Sequence, residues 1–406
     1  MNKSNHTVLI AGAGPVGMTT GLALAKAGIP VKVFDSLAEI PRDHRASTLH
    51  PSTLMMIEEL GMTDILIGRG IKSPLFQFRD RVSGDIVAEF DYGLISDQLK
   101  FPYALQVEQH KTIEVARDLA LKHNNFELYR ERELMTFSQD DNGVEVMVEG
   151  RDGEKEVHTG AFLIGADGGK SVVRKILDID FPGFTWEERF IIVSTYFDFE
   201  EADGWRYRNY VAHPEQWCAL IKVPGEESEG VWRALFPAFG SDPDEHVLSD
   251  EWIQARFAEC YPYDPPYDLL HRNLYGVHQR VASSFASGRV ALAGDAAHVN
   301  NPLGGMGMNS GIHDGLNIAE KLIEATKGVD HEALLARYDR QRRPMAEKYV
   351  QAQSIQNKRL LQEPDPEIRK ERLQELADVA ADEESHRAYL LRASLVQMVS
   401  EANAIE

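Results

Sequence analysis

The chain is short of several things. Its 406 residues include two cysteines, Cys218 and Cys260, in no C-x-x-C. That count leaves no disulfide framework and fits a reducing compartment. No apolar run approaches the roughly 18–20 residues of a membrane-spanning helix. Positive charge is scarce, with 43 Lys and Arg against 64 Asp and Glu, a net charge of −21. A nucleic-acid binder needs a basic face to neutralise phosphates, so none is expected, and general attraction to anionic lipid is equally disfavoured. There is no H-E-x-x-H, no Cys/His cluster and no legible Ser/His/Asp set, so neither a metal site nor a hydrolase triad is expected. Repeats and low-complexity tracts are missing too. The strand-like run that begins at Thr7 leaves no room for a signal peptide before it. The expectation is a cytoplasmic globular protein. Its 43% hydrophobic content is ample for a large core or two domains sharing an interface.

What is present concentrates in three stretches. The first is TVLIAGAGPVGMTTGLALAKAGIPVKVFD, residues 7–35. An apolar β-branched run meets Gly12, Gly14 and Gly17 in G-x-G-x-x-G, then helix formers, then a second strand ending at Asp35. Gly12 permits a tight turn, Gly14 lets backbone approach a pyrophosphate, and Gly17 lets helix pack on strand. The helix N-terminus favours the phosphate charge, and an acid about twenty residues on suits a ribose hydroxyl. The motif alone does not choose between FAD and NAD.

The second stretch, FLIGADGGKSVVRKILDI (162–179), repeats strand, acid with glycines, then helix. Asp167-Gly168 ends the strand, Ser171 can cap the helix after it, and Arg174 falls in that helix's first turn. The third, RVALAGDAAH, runs on through NNPLGGMGMNSG to residue 311. It sets one acid, Asp295, beside Gly294 and then spends four glycines on eight positions.

Together and in this order, the three stretches resemble the signatures of the single-component (class A) FAD-dependent aromatic hydroxylases, the group with the para-hydroxybenzoate hydroxylase fold. They are G-x-G-x-x-G, D-G-x-x-S-x-x-R, and G-D-A-A-H followed by P-x-G-G-x-G-x-N. The resemblance implies bound FAD, with Asp295 at the ribityl or phosphate region. The loop Pro302, Gly304, Gly305, Gly307, Met308 and Asn309 would lie beside the isoalloxazine, where close backbone approach calls for glycine. Backbone N–H groups around Met308 and Asn309, at a helix start, would face the pyrimidine edge. RDHRASTLH is similar to the family segment whose arginine, here Arg45, reaches the cofactor. QVEQHKTIEVARDLA is similar to the segment carrying a FAD-contacting glutamine, Gln109 or else Gln106. His298 is expected to pack beneath the flavin loop, and His50 to approach ring or substrate as the one catalytic candidate. No base is named, because the segment after Arg45 offers Ser47, Thr48 and His50 rather than an acid.

The fold expected is α/β (α+β). A Rossmann-like FAD-binding domain is assembled from residues 1–75, 106–180 and 286–345. Residues 76–105 and 181–285 form the substrate domain, a mostly antiparallel sheet with one helix near SDEWIQARFAECY. Residues 346–406 form C-terminal helices over the surface, a possible homodimer contact. Aromatic Tyr210 and Trp217, with His213, are the substrate-lining candidates.

Only one dinucleotide fingerprint is present, so NADH or NADPH would visit rather than occupy a domain of its own. The implied reaction is NAD(P)H- and O2-dependent hydroxylation of a phenolic or heteroaromatic substrate through a flavin C4a-hydroperoxide. The rivals are a halogenase of related fold, whose W-x-W-x-I-P is absent, a geranylgeranyl-type reductase, and a non-catalytic FAD-binding protein.

Overall fold

The computed structural model describes residues 6–42, 46–226 and 230–406. The strand Val8–Ala11 is buried along its whole length. Four apolar residues in a row suit a strand covered on both faces, the condition of a parallel sheet. Its sheet has six strands, in the order Ala286–Ser287, Val290–Leu292, Phe162–Gly165, Val8–Ala11, Val31–Asp35, Phe126–Arg130. All neighbours are parallel except the two-residue edge strand. From Val8–Ala11 the chain builds first to one side, then returns to build on the other. The Gly12–Gly14 turn and Asp167 therefore emerge side by side at the switch point, where open α/β sheets bind ligands.

The helix Pro15–Lys26 covers one face of this sheet, and the long helix Met306–Thr326 packs on it. Glycine sets that approach. A Cβ at Gly315 would lie 2.1 Å from Thr20 Oγ1, and one at Gly311 would lie 3.0 Å from Gly294 Cα. The antiparallel strands Arg132–Asp140, Gly143–Gly150 and Lys155–Gly160 form a separate meander.

The second large sheet has eight strands, in the order His298–Val299, Leu269–Val281, Gly183–Thr195, Val231–Ala238, Cys218–Val223, Arg208–Ala212, Leu75–Asp80, Ile86–Asp91. It is antiparallel throughout except between Arg208–Ala212 and Leu75–Asp80. The expected single helix, Asp250–Cys260, is joined by two short ones, Phe199–Asp203 and Asp244–Val247. Four or five residues are too few to show a helical period; the first is announced only by its cap, Asp198, which accepts from Glu200 N and Glu201 N.

The C-terminal helices do more than coat the surface. Ala352–Leu361, Pro366–Ala381 and Glu383–Ala393 place Leu361, Leu373, Leu376 and Leu390 in one core with Phe76, Phe90, Tyr92 and Phe190 of the sheet region. Each fully buried leucine contributes roughly 1.5–3 kcal/mol, so the tail is integral to this half. Among the described residues no helix is long and apolar enough to cross a membrane.

Candidate active site

The nucleotide turn is built by exclusion. Gly12 has φ +99°, and a Cβ there would lie 2.2 Å from Ala166 O. A Cβ at Gly17 would meet Gly12 O at 1.9 Å, whereas nothing lies within 4 Å of one at Gly14. Gly14 is the N-cap of Pro15–Lys26, and no side chain caps it. Bare N–H groups at the positive end of a helix thus open onto free space, the cradle an anionic pyrophosphate fits. Asp35 latches the turn from below: Oδ2 accepts from Ala13 N at 2.7 Å and Oδ1 from Leu37 N at 2.9 Å, with Arg130 Nη1 3.5 Å away.

The middle stretch is tied to the late one. Asp167 Oδ2 accepts from Val172 N and Val173 N, while its buried Oδ1 has no partner. Ser171 Oγ accepts from Arg174 N at 3.0 Å, the expected cap. Arg174 donates to Gly169 O and Ala296 O, each at 2.8 Å, and lies 3.8 Å over the Phe181 ring. The turn Gly294–Ala296 is thereby held beside the nucleotide turn, with Gly294 at φ +63° and Asp295 exposed.

The glycine-rich loop ends in a second uncapped helix start. Pro302 O accepts from Gly305 N at 2.9 Å. Gly304 (φ +100°) and Gly305 (φ +67°) are left-handed, and Gly305 is the N-cap of Met306–Thr326. A Cβ would lie 2.8 Å from Asn357 Nδ2 at Gly304, and 3.1 Å from Asn300 Oδ1 at Gly307. Met308 is buried in the first turn. The Asn309 side chain is a bolt. Its Oδ1 accepts from His50 N and Thr53 Oγ1, and its Nδ2 donates to Thr48 O and Gly305 O. Gln106 is fully buried; its Oε1 accepts from Thr48 Oγ1 at 2.8 Å and its Nε2 has no partner. Gln109 opens the helix Gln109–Ala120, half-buried. Arg45 lies outside the described residues.

Between this loop, the eight-stranded sheet and the tail helices lies a small cavity of about 10 Å³. Gly304 and Met306 come from the loop, Phe76, Phe78, Arg208 and Tyr210 from the sheet, and Gln353, Asn357, Tyr389 and Ala393 from the tail. Arg208 is 3% exposed. Its Nη1 donates to Tyr92 OH at 3.3 Å, its guanidinium lies 4.3 Å over the Phe76 ring, and its Nε has no partner. Among the described residues no carboxylate pairs with it. Among them its desolvation is offset only by the Tyr92 hydroxyl and the Phe76 and Tyr210 rings.

His50 sits alongside, fully buried at the N-cap of Pro51–Glu58. Its Nε2 donates to Gly304 O at 2.8 Å, and its Nδ1 is unpartnered. Burial, then the charge of Arg208, pull its pKa down to about 3 against the opposing bond to Gly304, so it is neutral. His298 packs elsewhere: its Nε2 meets Asp314 Oδ2 at 2.8 Å in a fully buried pair.

Of the three substrate-lining candidates, one faces the cavity. Tyr210 lines it, stacked on Phe78 with ring centroids 5.0 Å apart. Trp217 is fully buried edge-on to Phe190, and His213 lies past the strand end, its Nδ1 accepting from Glu215 N and Gln216 N. Sequence reasoning passed over Arg208, although a signal was present. Arg208 and Tyr210 are two apart on one strand, so they share a face. Nothing in the sequence signalled Gln353, Asn357 or Tyr389.

Comparison with known proteins agrees with this geometry. The profile of a family described as FAD binding domain matches residues 5–353. Para-nitrophenol 4-monooxygenase of Pseudomonas sp. (strain WBC-3) is 30% identical over 88% of this chain and 88% of its own. 6-Hydroxy-3-succinoylpyridine 3-monooxygenase HspB of Pseudomonas putida (strain DSM 28022 / S16) is 29% identical, over 88% and 90%. The crystal structure of p-nitrophenol 4-monooxygenase PnpA from Pseudomonas putida DLL-E4 superposes with a TM-score of 0.90 at 28% identity, over 97% of this chain and 98% of that one. The chain belongs to the FAD binding domain family and, within it, to the FAD-dependent aromatic hydroxylases, enzymes of the monooxygenase class.

Proposed function

We propose that this enzyme hydroxylates a single-ring phenol or hydroxypyridine, using O2 and a transiently bound NADH or NADPH. The observation that carries an aromatic substrate is the lining of the small cavity by Phe76, Phe78, Tyr210 and Tyr389. The two Pseudomonas relatives compared by sequence are named for single-ring substrates, p-nitrophenol and a hydroxypyridine.

The residues divide the work. Gly12, Gly14 and Gly17 and the bare start of Pro15–Lys26 would hold the FAD pyrophosphate, and Asp35 the ribose. Asp295, Asp167, Arg45 and one glutamine complete the grip. The unpartnered Nε2 of Gln106 and Oδ1 of Asp167 are buried polar atoms that a ligand would satisfy. The loop from Pro302 to Asn309 would lie along a bound flavin, where its uncapped helix start, from Gly305, would favour negative charge. FAD, reduced by the nicotinamide, supplies the electrons that activate O2. The protein orients the ring and excludes water: Phe76, Phe78, Met306 and the tail helices make the cavity wall.

The test is NAD(P)H oxidation with oxygen uptake over single-ring phenols, hydroxypyridines and polycyclic phenols. Several-fold stimulation by single-ring compounds, with a hydroxylated product, is expected. Stimulation by polycycles alone, or by nothing, overturns the reading. For the cofactor grip, Gly14→Ala should keep the fold, since no atom crowds its Cβ, yet lower FAD occupancy. Gly17→Ala should lose about 1–3 kcal/mol of stability through overpacking against Gly12 O.

A further inference from the structure

We infer that Cys218 and Cys260 form a reversible redox site, closed to a disulfide by hydrogen peroxide, in which Cys260 meets the oxidant and Cys218 resolves the product. The pair lies apart from the cavity, and its chemistry is the same whichever ring the enzyme hydroxylates.

The two residues are 42 positions apart and carry free thiols. They come from two elements of the substrate half. Cys218 opens the strand Cys218–Val223, and Cys260 ends the helix Asp250–Cys260. Side chains alternate across a strand. Tyr210, Trp217 and Ala219 enter the core around the cavity. Val211, Cys218 and Leu220 enter the core on the opposite face, with Ile253 and Phe257 of the helix. There the Cys218 and Cys260 sulfurs lie 2.9 Å apart. A disulfide needs about 2.0 Å, so about 1 Å of travel closes the bond.

The surroundings divide the roles. A buried cysteine by itself is a small hydrophobe. This pair is one sealed sulfur in contact with one that is reachable. Cys218 is fully buried. Burial, and then the bond to Cys260, push its thiol well above the ordinary range, so it keeps its proton. Cys260 is half-buried. Next to it Glu259 pairs with Arg256 at 3.1 Å and Arg81 at 3.5 Å, and Arg81 donates to Gln216 at 2.8 Å. These charged side chains are themselves half-buried, so a solute as small as hydrogen peroxide reaches the pair from the Cys260 side.

Flavin chemistry supplies the oxidant. Electrons that pass from reduced FAD to O2 with no substrate present leave as hydrogen peroxide. Cys260, once its thiol has lost its proton, attacks one peroxide oxygen. The O–O bond breaks, hydroxide takes up that proton as water, and a sulfenic acid remains. The Cys218 sulfur then attacks the Cys260 sulfur. The S–O bond breaks, and hydroxide leaves as water with the Cys218 proton. Two thiols are oxidised and one peroxide is reduced to two waters. A dithiol reopens the bond by exchange and becomes a disulfide itself.

The test starts from the FAD-loaded protein, reduced with dithiothreitol and then freed of it. Titration with hydrogen peroxide should give, by peptide mass spectrometry, a linked Cys218–Cys260 species two hydrogens lighter, which dithiothreitol reopens. That species should exceed Cys260 sulfinic acid by at least about tenfold, because the neighbouring sulfur competes at high effective concentration. NAD(P)H oxidation in air without substrate should form the same bridge, and catalase should prevent it. Cys218→Ser should leave Cys260 as a sulfenic acid that dimedone traps. Cys260→Ser should leave Cys218 unmodified. FAD absorbance and thermal melting report whether each variant is folded, and the wild-type mapping needs no variant.

Failure to form the linked species, whether Cys260 stays reduced or runs on to sulfinic acid, overturns the inference. So does a bridge between two chains through Cys260. Oxidation of Cys218 in the folded Cys260→Ser protein overturns the division of roles. A bridge that forms with added peroxide but not during substrate-free turnover upholds the site and removes the enzyme's own flavin as its source of oxidant.

Discussion

Arg342 and Arg208 are almost equally buried, 2% and 3% exposed, and keep opposite company. Arg342 Nε donates to Asp314 Oδ1 at 2.6 Å, and its Nη2 reaches Ser310. Asp314 Oδ2 is taken in turn by His298 Nε2 at 2.8 Å and Gly294 N at 3.2 Å. Burial alone would raise the Asp314 carboxyl, but Arg342 and His298 outweigh it and hold the group below its usual range. That cluster is closed, and it pins the long glycine-started helix to the Gly294 turn. Arg208 has one tyrosine hydroxyl and an aromatic face. A buried charge answered within the protein maintains the fold. One that is not answered marks where something else belongs.

The contrast can be broken by mutation. Arg342→Met strands the Asp314 carboxylate in the interior, and breaking a buried pair in this way costs about 3–5 kcal/mol. A matching drop in the urea midpoint is expected, together with a rise in the Asp314 pKa. A loss below about 1 kcal/mol would mean the closed cluster is not structural.

Each arginine also depresses a histidine, which extends the contrast to pH. His50 beside Arg208 and His313 near Arg342 are both brought to about 3, first by burial and then by the neighbouring charge. Their folded pKa values lie below the unfolded value of 6.5. As pH falls, the unfolded chain therefore takes the proton first. Stability is complete above about 6.5 and falls toward 3, by up to about 1.4 kcal/mol per unit for each histidine. Urea midpoints at about pH 7.5 and 5 should differ by up to about 4 kcal/mol in total. His50→Gln should remove half of that slope, and an unchanged midpoint would refute the assignment.

The smallest effect expected on stability belongs to Arg208→Met. With no internal carboxylate to strand, and only the Tyr92 hydrogen bond and ring contacts to lose, removing the charge should change ligand-free stability by no more than about 1 kcal/mol. A loss comparable to that of Arg342→Met would show that Arg208 supports the fold and is not held for a ligand.

The cofactor half was legible because its chemistry is local. Gly12, Gly14, Gly17 and Asp35 lie within one strand–turn–helix–strand, where spacing along the chain and distance in space nearly coincide. The substrate half was legible in kind only. Alternation announced strands, but which alternate face meets the flavin loop depends on sheet register, and Trp217 was as plausible from the sequence as Tyr210. The tail was read as surface helices because amphipathic periodicity says that a face is buried, not against what. The Gly311–Gly315 spacing was visible as G-x-x-x-G, but it acquires meaning only when Thr20 of another helix lies against it.

The sequence by itself determined the class of protein. Three motifs in order, a single dinucleotide fingerprint and a shortage of basic charge specify a flavin-binding fold, because each motif depends on backbone geometry that few residues besides glycine permit. Only the tertiary structure decided which side chains line the cavity. Arg208, Tyr92, Tyr389 and Gly304 come from four distant segments, and nothing local links a cation on one strand to the lack, among the described residues, of a carboxylate paired with it. That arrangement is a property of the packed interior, where the low dielectric makes a charge weigh far more than in water.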